Sequence, residues 1–406
     1  MRHYLLPRLI PLISLLGVYI FTKSFFLARK SLPHISSCSD DAAAQLLQKH
    51  LGLTRTETES LIRNGILSSD NIISSNVHGR RGCWMDRSAD AIAVIVVDAL
   101  RFDFALEHLP KSIGSRLKKG KEDTTRSKLF RFVADPPTVT MQRLKGLTTG
   151  GLPAFADISN SFGGATVEED TWVQQMKVSQ TFARREHVTD NGRSFMAFVG
   201  DDTWVDLFPN QFDESYPFPS FNTRDLDTVD NGCLEHLPRL FNNFGPPDKD
   251  KSLLKSLNDI ARYETNNNQG KNKTAEHTGS SRFVEHMTEH DYFELIVVHF
   301  LGVDHVGHTY GPNNFHMQDK LAQIDLALAE ILNRIDSATN TCEIGFIFGD
   351  HGMTNDGNHG GGTEEETNAG LFAHFSPGCA ESTVRNGKYF YRYLMILCQS
   401  EIRAHC

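Results

Sequence analysis

The sequence predicts a doubly wound α/β fold, with a mostly parallel sheet, helices on both faces and one membrane anchor at the amino terminus. Three observations support this prediction. Four continuous apolar, β-branched runs are typical of strands buried on both faces of a parallel sheet, and they cover Ala91–Val97, Ser194–Val199, Phe293–Val298 and Glu343–Phe348. Helical patterns separate the runs, most clearly at Gln318–Asp336, where Leu and Ile recur at helical spacing. The third observation is the apolar amino terminus.

That amino-terminal segment, Leu5–Leu27, is long enough to cross a bilayer. We expect residues 1–30 to form a membrane anchor and residues 31–90 to form a stalk and lead-in with a short helix at Asp41–His50. The alternative is a cleaved signal peptide, although the segment has no A-x-A-like cleavage site. Basic residues lie on both flanks, so the positive-inside rule does not decide the orientation.

The overall composition excludes several classes of protein. The 406 residues carry a formal net charge of −9, and no Lys/Arg-rich run is present, which argues against a nucleic-acid partner. A mean hydropathy of −0.34 excludes a polytopic membrane protein but is compatible with a single anchor. The chain can therefore form a large globular core behind its amino-terminal segment.

Cysteine usage and one sequon are compatible with an oxidising, glycosylating compartment. The seven cysteines show no C-x-x-C spacing, so we expect one or two accessory disulfides and no zinc knuckle. Asn272 begins the only N-x-S/T sequon, in a polar stretch over 265–281 that is typical of an exposed insertion. The sequon is a candidate glycosylation site, and a chance match is the alternative.

Acids and histidines follow each of the four apolar runs. They are Asp98 after the first, Asp201 and Asp202 after the second, His299, Asp304 and His308 after the third, and Asp350 and His351 after the fourth. Loops that leave the carboxyl ends of parallel strands converge on one crevice. We therefore expect a ligand site at this edge of the sheet.

The donor types indicate a metal site. Imidazole nitrogen and carboxylate oxygen suit zinc, and the spacing of Asp304 and His308 lets both reach one ion. His359 lies in a glycine-rich loop that can fold over the site. Six candidate ligands, Asp98, Asp304, His308, Asp350, His351 and His359, are too many for one open tetrahedral zinc. We therefore predict two Zn²⁺ ions, an arrangement that suits displacement at phosphorus.

A hydroxyl nucleophile is expected at the start of a helix, where free N–H groups favour an anion. Thr140 precedes a segment of helical character and fits this description, and Thr138 is the rival. Both threonines could instead be helix caps. Arg143 and Lys145 follow in the same segment. They could face phosphate, but we expect them to be solvent-facing helix charges.

Several long motifs resemble those of the glycosylphosphatidylinositol (GPI) ethanolamine phosphate transferases. The matching segments lie in order over about 90–378: Val97–Asp103, Asp135–Gly150, Gly200–Trp204, Phe218–Asn222, Asp225–Asn231, His299–His308 and Gly349–Met353. Within that family, the Asp-Pro-Pro-Thr segment and the Asp-Leu-Asp-Thr-Val-Asp-Asn segment resemble the type that acts on the third mannose. The resemblance also favours Thr140 over Thr138.

The resemblance implies an alkaline-phosphatase-like fold over 91–378, in the lumen of the endoplasmic reticulum at the membrane. It implies one zinc on Asp304, His308 and His359 and the other on Asp98, Asp350, His351 and the Thr140 oxygen. Thr140 would take phosphoethanolamine from phosphatidylethanolamine and pass it to the 6-hydroxyl of the third mannose of the GPI precursor lipid. Family members also imply a small multispanning partner subunit.

Three points remain open from the sequence. Asp201 and Asp202 could hold the ethanolamine ammonium, support the ligands from outside, or cap a helix. Residues 379–406 no longer resemble the family, and the spans that follow in family members are absent, so the chain is expected to be a truncated form. A metal-dependent phosphodiesterase and an inactive form are the alternatives to a transferase.

Overall fold

The computed structural model describes residues 6–25, 54, 89–119, 126–152, 166–178, 193–257, 259–261 and 281–379. The expected short helix at 41–50, the sequon at Asn272 and the tail from 380 to 406 lie outside these residues. The division of the chain into anchor, stalk, catalytic domain and tail stays a prediction.

A seven-stranded mixed sheet forms the centre of the fold, with the order β2-β7-β6-β1-β5-β3-β4. The strands are β1 Ala91–Val97, β2 Ser127–Val133, β3 Ser194–Asp201, β4 Glu214–Phe218, β5 Tyr292–Phe300, β6 Glu343–Phe348 and β7 Asn368–Phe375. From β6 to β4 every neighbouring pair is parallel. Strand β7 runs antiparallel to both of its neighbours, so the sheet is mostly parallel, as the apolar runs predicted.

Helices connect the strands on both faces. They are α1 Leu6–Phe25, α2 Phe102–Glu107, α3 Ser115–Lys119, α4 Thr140–Thr149, α5 Thr203–Leu207, α6 Thr228–Asn242, α7 Gly302–Tyr310, α8 Phe315–Asp336 and α9 Glu364–Thr367. Residues Pro110–Gly114 form a wider π-helical turn between α2 and α3. A further helical segment occupies 172–178.

The central strand β1 supplies side chains to two separate cores. Its odd-numbered residues, from Ala91 to Val97, pack with α6, α7 and α8 on one face. Val94 and Val96 pack with α4 and α5 on the other face. This alternation has the period of two that places neighbouring strand residues on opposite faces. The predicted doubly wound α/β class, with helices on both faces, is confirmed.

The predicted anchor segment coincides with helix α1, Leu6–Phe25. Across the described residues, no helix combines the length and the apolarity that a bilayer crossing requires. The membrane anchor stays a prediction.

One predicted accessory disulfide is present, between Cys342 and Cys379. It joins the residue before β6 to a residue that follows β7. Among the described cysteines, Cys233 is a free thiol and is buried in α6. The other four cysteines lie outside the described residues.

Candidate active site

The expected ligands meet at the carboxyl edge of the sheet. Asp98 follows β1, and Asp350 and His351 follow β6. Asp304 and His308 lie one turn apart on α7, which begins directly after β5. Because β1 pairs in parallel with both β5 and β6, these three strand exits lie side by side. The structure therefore brings together side chains that are up to 253 residues apart in the sequence.

A first cluster joins three donors. His308 Nε2 lies 3.4 Å from Asp304 Oδ2, and His359 Nε2 lies 3.3 Å from Asp304 Oδ1. The two Nε2 atoms are 3.0 Å apart. Ligand atoms at zinc bond lengths of about 2.0–2.1 Å, arranged tetrahedrally, would be separated by roughly 3.3 Å. The pairwise distances are therefore close to those between neighbouring ligands of one zinc ion, although His308 and His359 approach different oxygens of Asp304.

A second cluster lies beside the first. His351 Nε2 lies 3.4 Å from Asp98 Oδ1 and 3.3 Å from Asp350 Oδ2. Thr140 Oγ1 lies 3.3 Å from Asp98 Oδ2 and 3.4 Å from His351 Nε2. The rings of His351 and His359 stack with centroids 4.0 Å apart, so the two clusters are in contact. The structure thus brings the six candidate ligands and Thr140 together. Donor atoms of Asp304, His351 and His359 also lie within 4.8 Å of one another, so the division into two zinc sites stays a prediction.

Buried carboxylate oxygens provide a test of whether a cation fits. Asp98 Oδ1, Asp304 Oδ1 and Asp350 Oδ2 are buried and accept no hydrogen bond. A buried, unpaired carboxylate oxygen is costly unless a cation compensates it. Burial raises the pKa of Asp98 well above its ordinary value, and the negative charges of Asp350, Asp304 and Asp201 raise that pKa further. The residues present therefore fit metal binding at both clusters.

Main-chain carbonyl groups orient two of the histidines. His359 Nδ1 lies 2.7 Å from the Thr138 carbonyl oxygen, and His351 Nδ1 lies 2.8 Å from the Gly352 carbonyl oxygen. Since a carbonyl oxygen can only accept, each Nδ1 carries the proton and each Nε2 directs a lone pair into the clusters. Burial lowers the pKa of His351 to about 4, which keeps this imidazole neutral near pH 7.

The two candidate threonines have different roles. Thr140 is the first residue of α4, and its hydroxyl donates a hydrogen bond to Asp98 Oδ2. The Thr138 hydroxyl donates to the Gly361 carbonyl oxygen and accepts from the Gly360 N–H, both at 2.9 Å. Thr138 therefore holds the loop that carries His359, whereas Thr140 offers its oxygen to the second cluster.

A close backbone contact positions that loop. Gly357 has φ +75°, a conformation that favours glycine, and a Cβ there would collide with the carbonyl group of Gly307. Gly307 precedes His308 on α7. The contact therefore brings the His359 loop against the helix that carries the other two donors of the first cluster.

Asp201 and Asp202 lie outside the two clusters. Asp201 is buried, and its Oδ1 accepts from the Thr203 N–H at the start of α5 at 2.8 Å. Asp202 Oδ1 accepts from the Ser220 hydroxyl at 2.7 Å. The N-cap residue of α5 is Asp202, which makes no side-chain cap hydrogen bond, so the roles of Asp201 and Asp202 stay predictions. Asp201 Oδ2 also lies 3.9 Å from His299 Nδ1.

The expectation of a solvent-facing Arg143 was wrong. Arg143 is 4% exposed, because it lies one turn after Thr140 on the face of α4 that packs against the sheet. Its Nε donates to the Asp350 carbonyl oxygen at 3.0 Å, and its Nη1 donates to the Asp135 carbonyl oxygen at 3.3 Å. Lys145 is partly exposed. Arg143 therefore connects the nucleophile helix to the β6 exit.

The sequence reasoning missed a support for α7. Asp230 Oδ1 accepts hydrogen bonds from the Leu301 and Gly302 N–H groups, at 2.9 and 3.0 Å. Lys320 Nζ lies 3.1 Å from Asp230 Oδ2 and 2.6 Å from Asp227 Oδ1. These contacts cap the helix that carries Asp304 and His308. The signal in the sequence is the Asp-Leu-Asp-Thr-Val-Asp-Asn motif, which contains Asp227 and Asp230 and which the family resemblance linked only to the third-mannose type.

His299 was also left out of the ligand set, although it ends an apolar run. It is fully buried and lies 3.2 Å from Asp98 Oδ2 through its Nε2. His305, likewise left out, directs its ring nitrogens to the carbonyl oxygens of Asp225 and Ser220, away from the clusters.

Comparison with known proteins gives consistent matches. The family model for type I phosphodiesterase / nucleotide pyrophosphatase matches residues 222–364. The GPI ethanolamine phosphate transferase 3 catalytic subunit of Homo sapiens is 32% identical over 381 residues, which cover 90% of this chain and 27% of that protein. GPI ethanolamine phosphate transferase 3 of Saccharomyces cerevisiae is 32% identical over 317 residues, which cover 75% of this chain and 25% of that protein.

Among solved structures, the C-terminal periplasmic domain of EcEptC from Escherichia coli aligns with a TM-score of 0.40 and 14% identity, covering 72% of this chain and 74% of that one. The chain spans about a quarter of the length of the curated relatives it matches. By its sequence, the chain is similar to GPI ethanolamine phosphate transferases over most of its described length.

Proposed function

We propose that this chain carries the catalytic domain of an ethanolamine phosphate transferase that modifies the third mannose of the GPI precursor lipid. Phosphatidylethanolamine is the donor, the mannose 6-hydroxyl is the acceptor and Thr140 carries the group between them. The observation that carries the proposal is the position of the Thr140 hydroxyl, within 3.4 Å of both Asp98 and His351 at the start of α4.

The relatives support the substrate class. The human and yeast relatives are named GPI ethanolamine phosphate transferase 3, and the sequence motifs favour the same type. We place the domain in the lumen of the endoplasmic reticulum, at the membrane that holds both lipids. A small multispanning partner subunit forms part of the proposal through the family resemblance.

Two zinc ions would be held by Asp304, His308 and His359 and by Asp98, Asp350, His351 and Thr140. When bound, they would supply Lewis-acid stabilisation of charge at phosphorus and lower the pKa of the threonine hydroxyl. The free N–H groups at the start of α4 would add hydrogen-bond donors for the phosphoryl oxygens. The ten residues of α4 give this helix end a dipole that favours an anion.

In the first step, Thr140 Oγ1 attacks phosphorus and the bond from phosphorus to the diacylglycerol oxygen breaks. The hydroxyl proton leaves along the hydrogen bond to Asp98 Oδ2, and the diacylglycerol oxygen leaves with a proton from solvent. In the second step, the mannose hydroxyl attacks phosphorus and its proton passes to solvent. The bond from phosphorus to the Thr140 oxygen breaks, and that oxygen takes back the proton held on Asp98. The phosphoethanolamine group is thereby transferred whole, and Thr140 regains its hydroxyl.

The test is to trap the covalent intermediate. The zinc-loaded 406-residue chain is mixed with phosphatidylethanolamine labelled in its head group, and the peptide that contains Thr140 is analysed by mass spectrometry. We expect a phosphoethanolamine adduct on Thr140 and none in Thr140→Ala, with zinc content unchanged. Label on another residue, or no label on zinc-loaded protein, would contradict the proposal.

A metal-dependent phosphodiesterase is the second candidate, because the matched family model describes phosphodiesterases and pyrophosphatases. In that case water would take the place of the mannose hydroxyl in the second step. Product analysis distinguishes the two, since glycan-linked phosphoethanolamine forms only by transfer. Rescue of GPI assembly in cells that lack the third-mannose transferase, by this chain and by one extended with the family's membrane spans, tests whether the short chain is active in cells.

A further inference from the structure

His299 links a tryptophan to the candidate ligand Asp98. Trp204 Nε1 donates to His299 Nδ1 at 3.0 Å, and His299 Nε2 lies 3.2 Å from Asp98 Oδ2. The side chains of His299 and Asp98 are fully buried, and Trp204 is 1% exposed. The three residues come from the end of β1, the end of β5 and helix α5.

The tryptophan fixes the tautomer of the histidine. An indole N–H group can only donate, so His299 Nδ1 must be the acceptor and cannot carry a proton. The proton of the neutral imidazole is therefore on Nε2, where it is donated to Asp98 Oδ2. Both ring nitrogens of His299 therefore have a hydrogen-bond partner, and neither has a free lone pair.

This arrangement excludes His299 as a metal ligand. Asp98, Asp201 and His299 lie close enough to suggest a third donor group. However, His299 has no free lone pair, because its Nδ1 accepts from Trp204 and its Nε2 carries the proton. His299 is therefore a hydrogen-bonded support beside the second cluster.

The hydrogen bond from His299 gives the two oxygens of the Asp98 carboxylate different roles. Oδ2 accepts from His299 Nε2 and from the Thr140 hydroxyl. Oδ1 accepts no hydrogen bond and lies 3.4 Å from His351 Nε2. Rotation of the carboxylate would break the hydrogen bond from His299, so Oδ1 stays directed toward the second cluster.

We propose that His299, locked by Trp204, is a positioning residue that orients Asp98 for zinc binding at the second cluster and for contact with Thr140. The proposal rests on the two-metal site of the proposed function. It adds a role for two residues outside the ligand set. Hydrogen-bonded partners of ligands typically change metal affinity or activity by about 10–100-fold when removed.

The first test reads the tautomer in the metal-free chain. The full chain is labelled with ¹⁵N-histidine, and long-range ¹H–¹⁵N correlation spectra at neutral pH separate Nδ1–H from Nε2–H imidazoles. His299→Phe identifies the resonances of His299 by their loss. We expect the Nε2–H form in the parent chain. An Nδ1–H form, or a charged ring, would overturn the proposal whatever the zinc affinity.

The second test measures zinc affinity by competition with a chromophoric chelator. We expect His299→Phe, which keeps a ring but no donor, to weaken one of the two zinc sites by about 10–100-fold. His299→Gln restores an amide donor and acceptor and should recover part of this loss. His374→Phe is the matched control, because His374 is also a buried histidine but lies on β7 opposite Gly345, about 16 Å along the sheet from Asp350 at strand rise.

The outcomes separate this inference from the proposed function. If the parent chain binds two zinc ions and His299→Phe binds both as tightly, the positioning role is wrong while the metal site stands. If the parent chain binds no zinc, the proposed function fails. The positioning role, which requires zinc at the second cluster, then fails with it.

Should His299→Phe fail to fold, Trp204→Phe provides the second variant. It removes the indole N–H and releases the tautomer, so both zinc affinity and the ¹⁵N spectrum should change together. A change in neither would overturn the proposal.

Discussion

Arg143 Nε donates to the carbonyl oxygen of Asp350 at 3.0 Å, so the helix that begins at Thr140 is tied to the strand exit that carries two candidate ligands. The same guanidinium group reaches the carbonyl oxygen of Asp135, ahead of the helix. The guanidinium also lies 5.9 Å from the ring centroid of Phe132. These three contacts fix the position of the Arg143 side chain.

Replacing Arg143 should lower both stability and adduct formation. Arg143→Ala leaves the buried Asp350 carbonyl oxygen without its Arg143 donor, which costs about 1–3 kcal/mol in the free energy of unfolding. Arg143→Lys should recover little, because an ammonium group lacks the fixed fork that reaches two carbonyl oxygens. Urea unfolding and the rate of labelling of Thr140 are the measurements. Arg131→Ala, at a side chain that is 56% exposed, is the control and should change neither. Equal behaviour of the two variants would refute the role.

Substitution of Thr138 and substitution of Thr140 should have different effects on adduct formation. Thr138→Val removes the hydroxyl that holds Gly360 and Gly361, so we expect slower adduct formation on Thr140 and weaker zinc binding, but not complete loss. Thr140→Ala should abolish the adduct. Mass spectrometry of the trapped chain decides this. An adduct that persists in Thr140→Ala and disappears in Thr138→Val would reverse the assignment.

The zinc content of the chain should show that it has two metal sites. We expect two zinc ions per chain after dialysis, and about one in either Asp304→Asn or Asp350→Asn, since each variant removes one donor from a single cluster. Elemental analysis gives the stoichiometry. Removal of zinc should also lower the melting temperature, because a ligand bound only to the native state stabilises it by about 2.7 kcal/mol at 100 times its Kd. Asp356→Asn, an exposed acid on the His359 loop, is the control. Loss of both ions in each variant would indicate one shared centre.

The buried lysine beneath α7 should matter for stability. Lys320 is 3% exposed and contacts the carboxylates of Asp227 and Asp230. Lys320→Met leaves the buried Asp230 carboxylate without its cation, and breaking such a pair typically costs about 3–5 kcal/mol. Urea unfolding measures the loss, with the exposed Lys249→Met as the comparison. A loss as small as that of the surface variant would show that the pair contributes little.

Acid should destabilise the chain through His374. Burial lowers the pKa of His374 below 6.5, and its Nε2 lies 3.0 Å from Asp336 Oδ1. The folded state then binds fewer protons than the unfolded state, so stability falls as pH drops below about 6.5. Burial would raise the pKa of Asp336, but His374, Arg116 and Arg126 lower it overall, which extends the same trend below pH 4. His374→Gln should flatten the loss of unfolding free energy between pH 7 and 5. An unchanged slope would contradict this account.

The four apolar runs could be predicted as strands because each is buried on both faces, and they became β1, β3, β5 and β6. The other three strands carry weaker signals. Strand β2 is a sheet edge with mostly half-exposed residues, β4 has five residues that include Pro217, and β7 is rich in small residues. For these strands, pairing in the folded sheet decides the conformation more than local preference does.

The meeting of the six donors followed from topology, because parallel strands deliver their exits to one edge. The roles of Arg143 and His299 could not be predicted in this way. Whether Arg143 faces solvent or sheet depends on how α4 packs, and the tautomer of His299 depends on Trp204, which lies 95 residues earlier in the sequence. Such contacts between distant segments have no local pattern.

Strand β1 packs against helices on both faces of the sheet, and Asp98 directly follows it. The position of the Asp98 carboxylate therefore depends on both helical layers. Ile95 is embedded in one helical layer, Val96 in the opposite one, and Asp98 follows two positions later. A shift of either layer against the sheet would be transmitted to the same oxygen atoms. Core substitutions far from the candidate site, on either face of the sheet, should therefore weaken metal binding before they unfold the chain.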